Sequence, residues 1–397
     1  KEKETNGTYK MQGSAVCLDN KSGRVVAIVG GRSQETEGYS LNRAFQSFRQ
    51  PGSSIKPLIV YTPTLERGST ASTTVHDYKF KGGPSNSDGT YSGYISMRYA
   101  VEKSKNTVAW QLFDELKPEV GLQYLLDMNF SKIVKSDYYL SASLGGLTYG
   151  TSTLEMASAY SALENDGKYR EPTCIVKILD GEGKEIVSDH VEQQTIYKKD
   201  AAHSMTDILT GVITRGTARG LGLDNGQPSA GKTGTTNDKK DGWFCGYTPY
   251  YTTAVWVGYD SPKTVDDLYG STYPGRIWHD YMSELHKNLE VKKFSLDGIP
   301  DNNSSPSNYG NRDEKKEPEK KDKIDEDSDD DRDVDRDSDD DDNKVDRDTN
   351  DNPPPDDAEK TTPTPKPDIT EPPTTPEPAE QPPDDNSGEG DDTGTPE

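Results

Sequence analysis

Apolar side chains are concentrated in short runs near both ends of the first 300 residues. Residues 14–18 and 25–29 are rich in Val and are separated by turn-forming residues, which predicts a β-hairpin. Three further runs, at 227–235, 242–247 and 252–259, follow one another with turn-prone connections and predict an antiparallel meander. This pattern favours one sheet built from strands at both ends of the domain.

The region between these strands has a helical pattern. Residues 95–112 carry apolar side chains at helical spacing, with a polar interruption at 104–106. Helices are also predicted near 117–127 and 153–164, and a closing helix is predicted at 276–289. We therefore predict an α/β fold with a mostly antiparallel sheet and helices on both sides.

Charge changes this picture only at the end of the chain. Of 70 acidic and 46 basic side chains, residues 301–397 hold 35 and 12, so the net charge of −24 belongs almost entirely to this segment. It is rich in Pro and Thr and has almost no aliphatic or aromatic side chains, so it cannot bury enough apolar surface to offset its chain entropy. We predict a linker at 1–12, one domain at 13–293 and a disordered acidic and Pro/Thr-rich tail at 294–397.

The composition also limits the kinds of site and compartment. No apolar run reaches the roughly 18 residues that a membrane span needs. The chain opens on Lys1 without a signal peptide, so we interpret it as a segment of a longer protein with any anchor upstream. Cys17, Cys174 and Cys245 have neither the number nor the spacing of a disulfide framework or zinc site, and the His residues form no ligand pair. We expect no disulfide, no metal and no cofactor.

The chemistry is predicted from the stretch around Ser53. Ser53 and Lys56 are three residues apart, which places both side chains on one face of a helix. Because Pro57 is tolerated mainly in a first helical turn, the helix is expected to begin near Ser53, with free N–H groups beside the hydroxyl. Lys56, if neutral, can then accept the hydroxyl proton. An isolated Ser-x-x-Lys is more often an N-capping serine beside a solvated lysine, so the assignment depends on the rest of the chain.

Two further motifs follow Ser53 in the chain. Ser104-Lys105-Asn106 lies in the polar break of the helical region, although Ser-x-Asn alone is a weak signal and Ser40-Leu41-Asn42 matches it too. Lys232-Thr233-Gly234-Thr235 lies in a predicted strand. There Gly234 is expected to leave one face of the strand bare, so that the backbone of a ligand can lie against it.

Ser-x-x-Lys, Ser-x-Asn and Lys-Thr-Gly in this order resemble the signature of serine penicillin-recognising enzymes. The likeness extends over roughly residues 8–290 and is to the transpeptidase domain of class A (bifunctional) penicillin-binding proteins. It implies the penicillin-recognising serine transpeptidase fold. In that family a glycosyltransferase domain and a membrane anchor come first, and this sequence contains neither. The segments that carry the likeness, besides the motifs, are Asn42-Arg43-Ala44, residues 49–57, 144–148, 154–160 and 243–260.

The resemblance implies a role for each motif residue. Ser53 would be the nucleophile, Lys56 its base, and Ser104 the proton shuttle toward the leaving amine. Asn106 would bind the amide of the donor peptide. Lys232 would supply positive potential and stay charged while Lys56 is neutral. Thr233 and Thr235 would bind the terminal carboxylate of the donor, and Gly234 between them would also be a substrate-binding residue. The N–H groups of Ser53 and Thr235 would form the oxyanion hole.

The resemblance also implies a substrate and a location. The donor would be a peptidoglycan stem peptide ending in D-Ala-D-Ala, β-lactams would trap the serine, and neither nucleic acid nor a metal would take part. The enzyme would work outside the cytoplasmic membrane, with a Gram-positive-type envelope favoured. A D,D-carboxypeptidase would use the same motifs and stays open, whereas a class A β-lactamase is disfavoured because no deacylating Glu is identifiable. A β-lactam-sensing binding module and a structural wall protein are the non-enzymatic alternatives.

Overall fold

The computed structural model describes residues 2–5, 7–32, 40–187 and 192–299. The strands are β1 Met11–Asp19, β2 Arg24–Val29, β3 Thr74–Asp77, β4 Gly93–Ser96, β5 Lys168–Arg170, β6 Ile178–Leu179, β7 Glu185–Val187, β8 Gln193–Thr195, β9 Ala230–Thr235, β10 Asp241–Tyr247 and β11 Tyr251–Tyr259. The α-helices are α1 Arg43–Gln46, α2 Thr62–Glu66, α3 Met97–Glu102, α4 Asn106–Leu116, α5 Pro118–Asp127, α6 Thr153–Glu164, α7 Lys199–Thr214 and α8 Tyr273–His286. Single 3-10 turns lie at Lys135–Asp137, Leu140–Leu144 and Asn237–Lys239.

The central sheet joins the two ends of the domain, as predicted. Its five strands lie in the order β2-β1-β11-β10-β9, and every neighbouring pair is antiparallel. The β1–β2 hairpin and the β9–β10–β11 meander meet where Met11 pairs with Tyr259 and Asp19 with Tyr251. Strand β9, which carries the Lys-Thr-Gly motif, is therefore an edge strand of this sheet.

Helices cover both faces of the sheet. Alternate side chains of a strand point to opposite faces, so one strand contacts helices on both sides. On one face Ser14 Oγ lies 2.6 Å from Thr153 Oγ1 at the start of α6. On the other face Thr253 Oγ1 donates to Met282 Sδ of α8 at 3.2 Å. The predicted α/β class, with a mostly antiparallel sheet and helices on both sides, is confirmed.

Most helix predictions are confirmed, although the closing helix spans Tyr273–His286 instead of 276–289 and the helix predicted from 95 starts later. Helix α6 begins at a capping box, where Glu155 N donates to Ser152 Oγ and Ser152 N donates to Glu155 Oε2. The segment predicted as helical from 95 instead opens with strand β4, which pairs with β3 in a hairpin that the apolar pattern did not reveal. The predicted polar interruption at 104–106 is the junction between α3 and α4.

A buried helical segment starts at Gly52, which confirms the predicted start near Ser53. It runs as a 3-10 turn at Gly52–Ile55, a π-helical turn at Pro57–Tyr61 and then α2. Every side chain from Ser54 to Tyr61 is buried. The segment thus passes through the core, and only its beginning reaches a surface where a substrate can bind.

The far end of the described chain returns to the sheet. Phe294 packs edge-on against Tyr247 with ring centroids 5.7 Å apart, and His203 Nδ1 lies 2.9 Å from the Asp297 carbonyl oxygen. Most of the predicted tail lies outside the described residues. Cys17 and Cys245 are buried, Cys174 is exposed, and all three are free in this structure. No helix in the described ranges is long and apolar enough to cross a bilayer.

Candidate active site

A cleft of about 870 Å³ opens beside the start of the buried helix. Its walls come from the helix start, the loop before β4, the α3–α4 junction, the 141–146 turn, strand β9 and the segment around Tyr269. Residues from all three sequence motifs line it: Ser53, Ser104, Asn106, Thr233 and Thr235. The fold therefore brings together side chains that are up to 182 positions apart in the sequence.

The structure distinguishes Ser53 from its neighbour Ser54. Ser53 lines the cleft and is partly exposed. Ser54 is fully buried, and its hydroxyl donates to the carbonyl oxygen of Pro51 at 2.7 Å. The Ser54 carbonyl accepts a hydrogen bond from Tyr160 Oη at 2.6 Å, which fixes the first helical turn to α6. Ser53 is consequently the serine that a ligand in the cleft can meet.

Lys56 lies one helical turn beyond Ser53 and is fully buried. Its ammonium nitrogen donates to Asn106 Oδ1 at 2.7 Å and to the Ser104 carbonyl oxygen at 2.9 Å. Ser104 Oγ is 3.5 Å away. A neutral amine has two N–H groups and one lone pair, so these two close acceptors satisfy both donors and leave the lone pair free to accept a proton.

Burial controls the protonation of the two lysines in the site. Burial lowers the pKa of Lys56 well below its usual value, and the charge of Lys232 lowers it further. Burial also lowers the pKa of Lys232, to about 7. Burial therefore works against the expectation that Lys232 stays charged at neutral pH, because the strand interior desolvates this ammonium too. Lys56 nevertheless loses its proton more readily, since it also faces a second cation.

Ser104 connects the two lysines. Its hydroxyl accepts a hydrogen bond from Lys232 Nζ at 2.8 Å, and Lys56 Nζ lies on its other side. Ser104 has a φ of +56°, a left-handed conformation that is uncommon for a residue with a side chain. That backbone turn directs both the carbonyl and the hydroxyl of Ser104 toward the lysines, which gives the strained conformation a structural reason.

Strand β9 presents two hydroxyl groups to the cleft, and both are held by residues that the motifs did not indicate. Thr233 Oγ1 lies 2.7 Å from Thr217 Oγ1. Thr235 Oγ1 accepts a hydrogen bond from the backbone N–H of Gly270 at 3.0 Å. Thr217 follows α7 and Gly270 precedes α8, so no local sequence signal links them to the strand.

Gly234 makes room for the protein itself. A Cβ at this position would lie 2.3 Å from the Pro51 carbonyl oxygen and 2.9 Å from Ser54 Oγ. The expectation that the bare face receives a ligand is therefore corrected, because the start of the buried helix fills that space. Gly52 lies on the other side of this contact. Its φ is +55°, and a Cβ there would lie 2.8 Å from the Thr235 carbonyl oxygen. The two glycines let the helix start and strand β9 approach at van der Waals distance.

Asn106 has both ends of its amide engaged. Its Oδ1 accepts from Lys56, and its Nδ2 donates to the Ser85 carbonyl oxygen at 2.8 Å. The second N–H of Nδ2 remains for a ligand. Sequence reasoning passed over the middle residue of this motif, Lys105, which is buried in an ion-pair cluster with Asp77 and Asp88.

No metal site accompanies these groups in the described part of the chain. There, no three His, Cys, Asp or Glu side chains lie close enough together to hold an ion. The polar groups that line the cleft are hydroxyls, amides, the Lys239 ammonium group and one half-exposed carboxylate, Asp88. This donor set is suited to binding a carboxylate and a peptide group, and to activating a serine hydroxyl.

Comparison with known proteins agrees with this geometry. The sequence profile of the penicillin-binding protein transpeptidase domain matches residues 13–283. Penicillin-binding protein 1A of Clostridium botulinum is 36% identical over 307 residues, which cover 73% of this chain and 37% of that protein. Penicillin-binding protein 1A of Neisseria lactamica is 38% identical over 308 residues, covering 73% and 36% respectively. The chain thus spans little more than a third of the length of these relatives.

Solved structures and the range of relatives complete the comparison. PonA1 of Mycobacterium tuberculosis in complex with penicillin V aligns with a TM-score of 0.63 and 27% identity, over 72% of this chain and 81% of that one. The relatives come from genera as different as Clostridium and Neisseria, so they do not support the expectation of a Gram-positive-type envelope. The profile match and the fold together show that this chain belongs to the penicillin-binding protein transpeptidase family.

Proposed function

We propose that this chain is a peptidoglycan D,D-transpeptidase that cross-links stem peptides through an acyl-enzyme on Ser53. The observation that carries the proposal is the fully buried Lys56, one helical turn from the partly exposed Ser53. The two N–H groups of a neutral Lys56 are already taken by Asn106 and Ser104. A lysine held in this way has a lone pair available and a lowered pKa, which are the properties of a general base.

Acylation begins when Ser53 Oγ attacks the carbonyl carbon of the penultimate D-Ala of the donor. Lys56 accepts the hydroxyl proton as the new C–O bond forms, and the carbonyl oxygen becomes an oxyanion. The backbone N–H groups of Ser53 and Thr235 would stabilise it. The C–N bond to the terminal D-Ala then breaks. Its amine takes a proton from Lys56 through the Ser104 hydroxyl, and free D-Ala leaves.

Transfer runs the same proton path in reverse. An amine from a neighbouring stem attacks the ester carbonyl, and its proton passes through Ser104 to Lys56. The C–O bond to Ser53 breaks, and Lys56 returns a proton to the departing Ser53 Oγ. The products are a new peptide bond and free enzyme, so no external oxidant, metal or cofactor enters the balance.

Donor binding follows from the wall of strand β9. The terminal carboxylate would accept hydrogen bonds from the hydroxyls of Thr233 and Thr235, with the backbone at Gly234 between them. Lys232 is buried behind them with a pKa of about 7. A bound carboxylate would raise that pKa, so the substrate would itself restore the positive charge. Asn106 would bind the donor amide through its remaining N–H.

β-Lactams fit the same site because they present a strained amide and a carboxylate at the spacing of the donor. The PonA1 structure that this fold matches holds penicillin V. We propose that Ser53 forms the corresponding penicilloyl ester. Slow hydrolysis of this ester would keep the enzyme inactive and make it an antibiotic target. Because stem peptides are cross-linked outside the cytoplasmic membrane, we propose that the enzyme works there. Membrane attachment would come from an anchor upstream of this domain.

A D,D-carboxypeptidase is the second candidate, because water can replace the acceptor amine without any change in the motifs. A test that separates the two uses a stem-peptide donor ending in D-Ala-D-Ala, with and without an acceptor stem. We expect D-Ala release together with a cross-linked product by mass spectrometry, and a matched donor ending in L-Ala-L-Ala should be inert. Hydrolysed donor as the only product would favour the carboxypeptidase, and no D-Ala release would contradict both.

A further inference from the structure

A carboxylate with no exposed surface lies behind the cleft. Asp77, the last residue of β3, is fully buried and accepts four hydrogen bonds or ion-pair contacts. Thr107 Oγ1 donates to its Oδ1 at 2.5 Å and Asn86 Nδ2 at 2.6 Å. Ser92 N and Lys105 Nζ lie 2.8 and 3.3 Å from its Oδ2. These hydrogen bonds, with the Lys105 charge, keep the pKa of Asp77 below its usual value despite burial.

Asn86 connects this carboxylate to the helix that carries Asn106. Its Oδ1 accepts from the backbone N–H groups of Asn106 at 2.7 Å and Thr107 at 3.2 Å. These are the first two amides of α4, and Lys105, the residue at the N-cap position, provides no side-chain cap of its own. Asn86 therefore caps α4 from 20 positions upstream, and its bonds to Asp77 and to the Thr90 carbonyl fix which end of its amide faces the helix.

Lys105 completes the cluster from within the Ser-x-Asn motif. It is 2% exposed, and its Nζ lies 3.0 Å from Asp88 Oδ2, in addition to Asp77. It also donates to the carbonyl oxygen and hydroxyl of Thr90 at 3.1 and 3.0 Å. Its side chain ends among Asp77, Asp88 and Thr90, whereas the flanking Ser104 and Asn106 face Lys56.

We propose that Asp77, Asn86 and Lys105 are positioning residues that hold Ser104 and Asn106 against Lys56, and so set the direction of the base. This inference rests on the proposed function. Lys56 has one close acceptor from Ser104 and one from Asn106, so the direction of its lone pair is fixed only while both acceptors keep their places. Misplacement of a catalytic group by about 1 Å can lower a rate roughly 100-fold.

The cluster is sensitive to the loss of any one member. Removing the amide of Asn86 leaves two helix amides without their acceptor and takes one of four donors from the buried carboxylate of Asp77. Removing the charge of Lys105 leaves a buried carboxylate without its cation. In both cases the α3–α4 junction has to move, and Ser104 and Asn106 move with it.

The first test compares acylation by benzylpenicillin in Asn86→Ala and in a control, Asn20→Ala. Asn20 is equally buried and bridges Thr248 and Thr252 by similar hydrogen bonds, but it lies at the end of the sheet strands opposite to Thr235. We expect the saturating acylation rate to fall about 100-fold in Asn86→Ala, with a smaller change in the half-saturating concentration, because the β9 wall that would bind the carboxylate is intact although Asn106 moves. Equal rates in the two variants would overturn the proposal.

A second pair of variants, at Lys105, keeps the proposal testable if Asn86→Ala does not fold. Lys105→Met removes the cation and should lose the rate, whereas Lys105→Arg keeps both charge and donors and should restore most of it. Equal rates in the Met and Arg variants would contradict a positioning role.

A third measurement does not depend on activity. Amide hydrogen exchange at Asn106 and Thr107 should become faster in Asn86→Ala and stay unchanged in Asn20→Ala. If wild-type protein were not acylated at all, the proposed function would fail, and the exchange rates would still report whether Asn86 holds the α4 terminus. Unchanged exchange in Asn86→Ala would refute the cluster itself.

Discussion

Arg49 Nε donates to Asp241 Oδ1 at 2.7 Å, which ties the segment before Ser53 to the strand beside the Lys-Thr-Gly motif. Trp256 Nε1 donates to the same oxygen at 3.0 Å, and Asp241 is 5% exposed. Two of the three motifs are thus held in register by one buried carboxylate, which lies outside the cleft.

Asp241→Asn should therefore destabilise the domain by about 3 kcal/mol, because it leaves a nearly buried guanidinium without its anion. The matched control is Asp260→Asn. Asp260 is half-exposed and pairs with Arg43 in the same region, so its loss should cost less than about 1 kcal/mol. Urea unfolding of both variants measures the difference in unfolding free energy. Equal destabilisation by the two substitutions would show that burial of the Arg49–Asp241 pair does not determine its contribution to stability.

The partly exposed Ser53 and the buried Ser54 predict where penicillin attaches. Intact mass after incubation with benzylpenicillin should rise by one adduct, and peptide mapping should place it on Ser53. Ser54→Ala should still form the adduct, because the Ser54 hydroxyl is buried and donates to the Pro51 carbonyl oxygen. An adduct that persisted in Ser53→Ala would contradict the assignment.

The lysine pair predicts the pH dependence of acylation. The reaction needs neutral Lys56, so the rate should fall as the pH is lowered through the reduced pKa of this amine. Lys56→Arg keeps a charge that does not titrate in this range and should abolish acylation, whereas Lys232→Arg should retain part of it because the proposed role of Lys232 is electrostatic. Rates measured from pH 5 to 10 decide this, and near-normal acylation by Lys56→Arg would exclude Lys56 as the base.

Glu164, at the end of α6, predicts a separate effect on stability. Burial raises its pKa from 4.5 to about 7 against the opposing charges of Lys292 and Arg170. Between these values the folded protein keeps a proton that the unfolded chain releases, so this group makes stability fall as the pH rises from about 4.5 through 7. Glu164→Gln should gain about 1–3 kcal/mol at pH 8 and much less at pH 4.5. Unfolding free energies of variant and wild type at the two pH values test this, and a difference independent of pH would refute it.

The contacts of the last described residues predict where the chain can be shortened. Deleting residues 300–397 should leave penicillin acylation within a few-fold of wild type, because that segment is acidic and poor in apolar side chains. Deleting 293–397 should lower the melting temperature, since it also removes the ring contact of Phe294 with Tyr247 and the hydrogen bond between the Asp297 carbonyl and His203. A large loss of acylation in the shorter deletion would show that the tail contributes to the site.

Local patterns in the sequence determined much of this protein. The Val-rich runs and turn residues predicted the hairpin and the meander, because strand periodicity and turn chemistry act over a few residues. The three-residue spacing of Ser53 and Lys56 indicated one helix face, and the order of the three motifs indicated the family. The short strand β4 was not predicted, because four residues are too few to show a period.

Only the tertiary structure decided the environment of the motif residues. Burial of both lysines depends on what packs around them, and this lowered the pKa of Lys232 where its charge had been expected to persist. The space beside Gly234 is filled by a helix start more than 180 positions away, and Thr217 reaches Thr233 from a different element. Lys105 is an unremarked middle residue in the sequence and a buried charge in the fold. Desolvation and long-range contacts arise from the packing of distant segments, which no local spacing encodes.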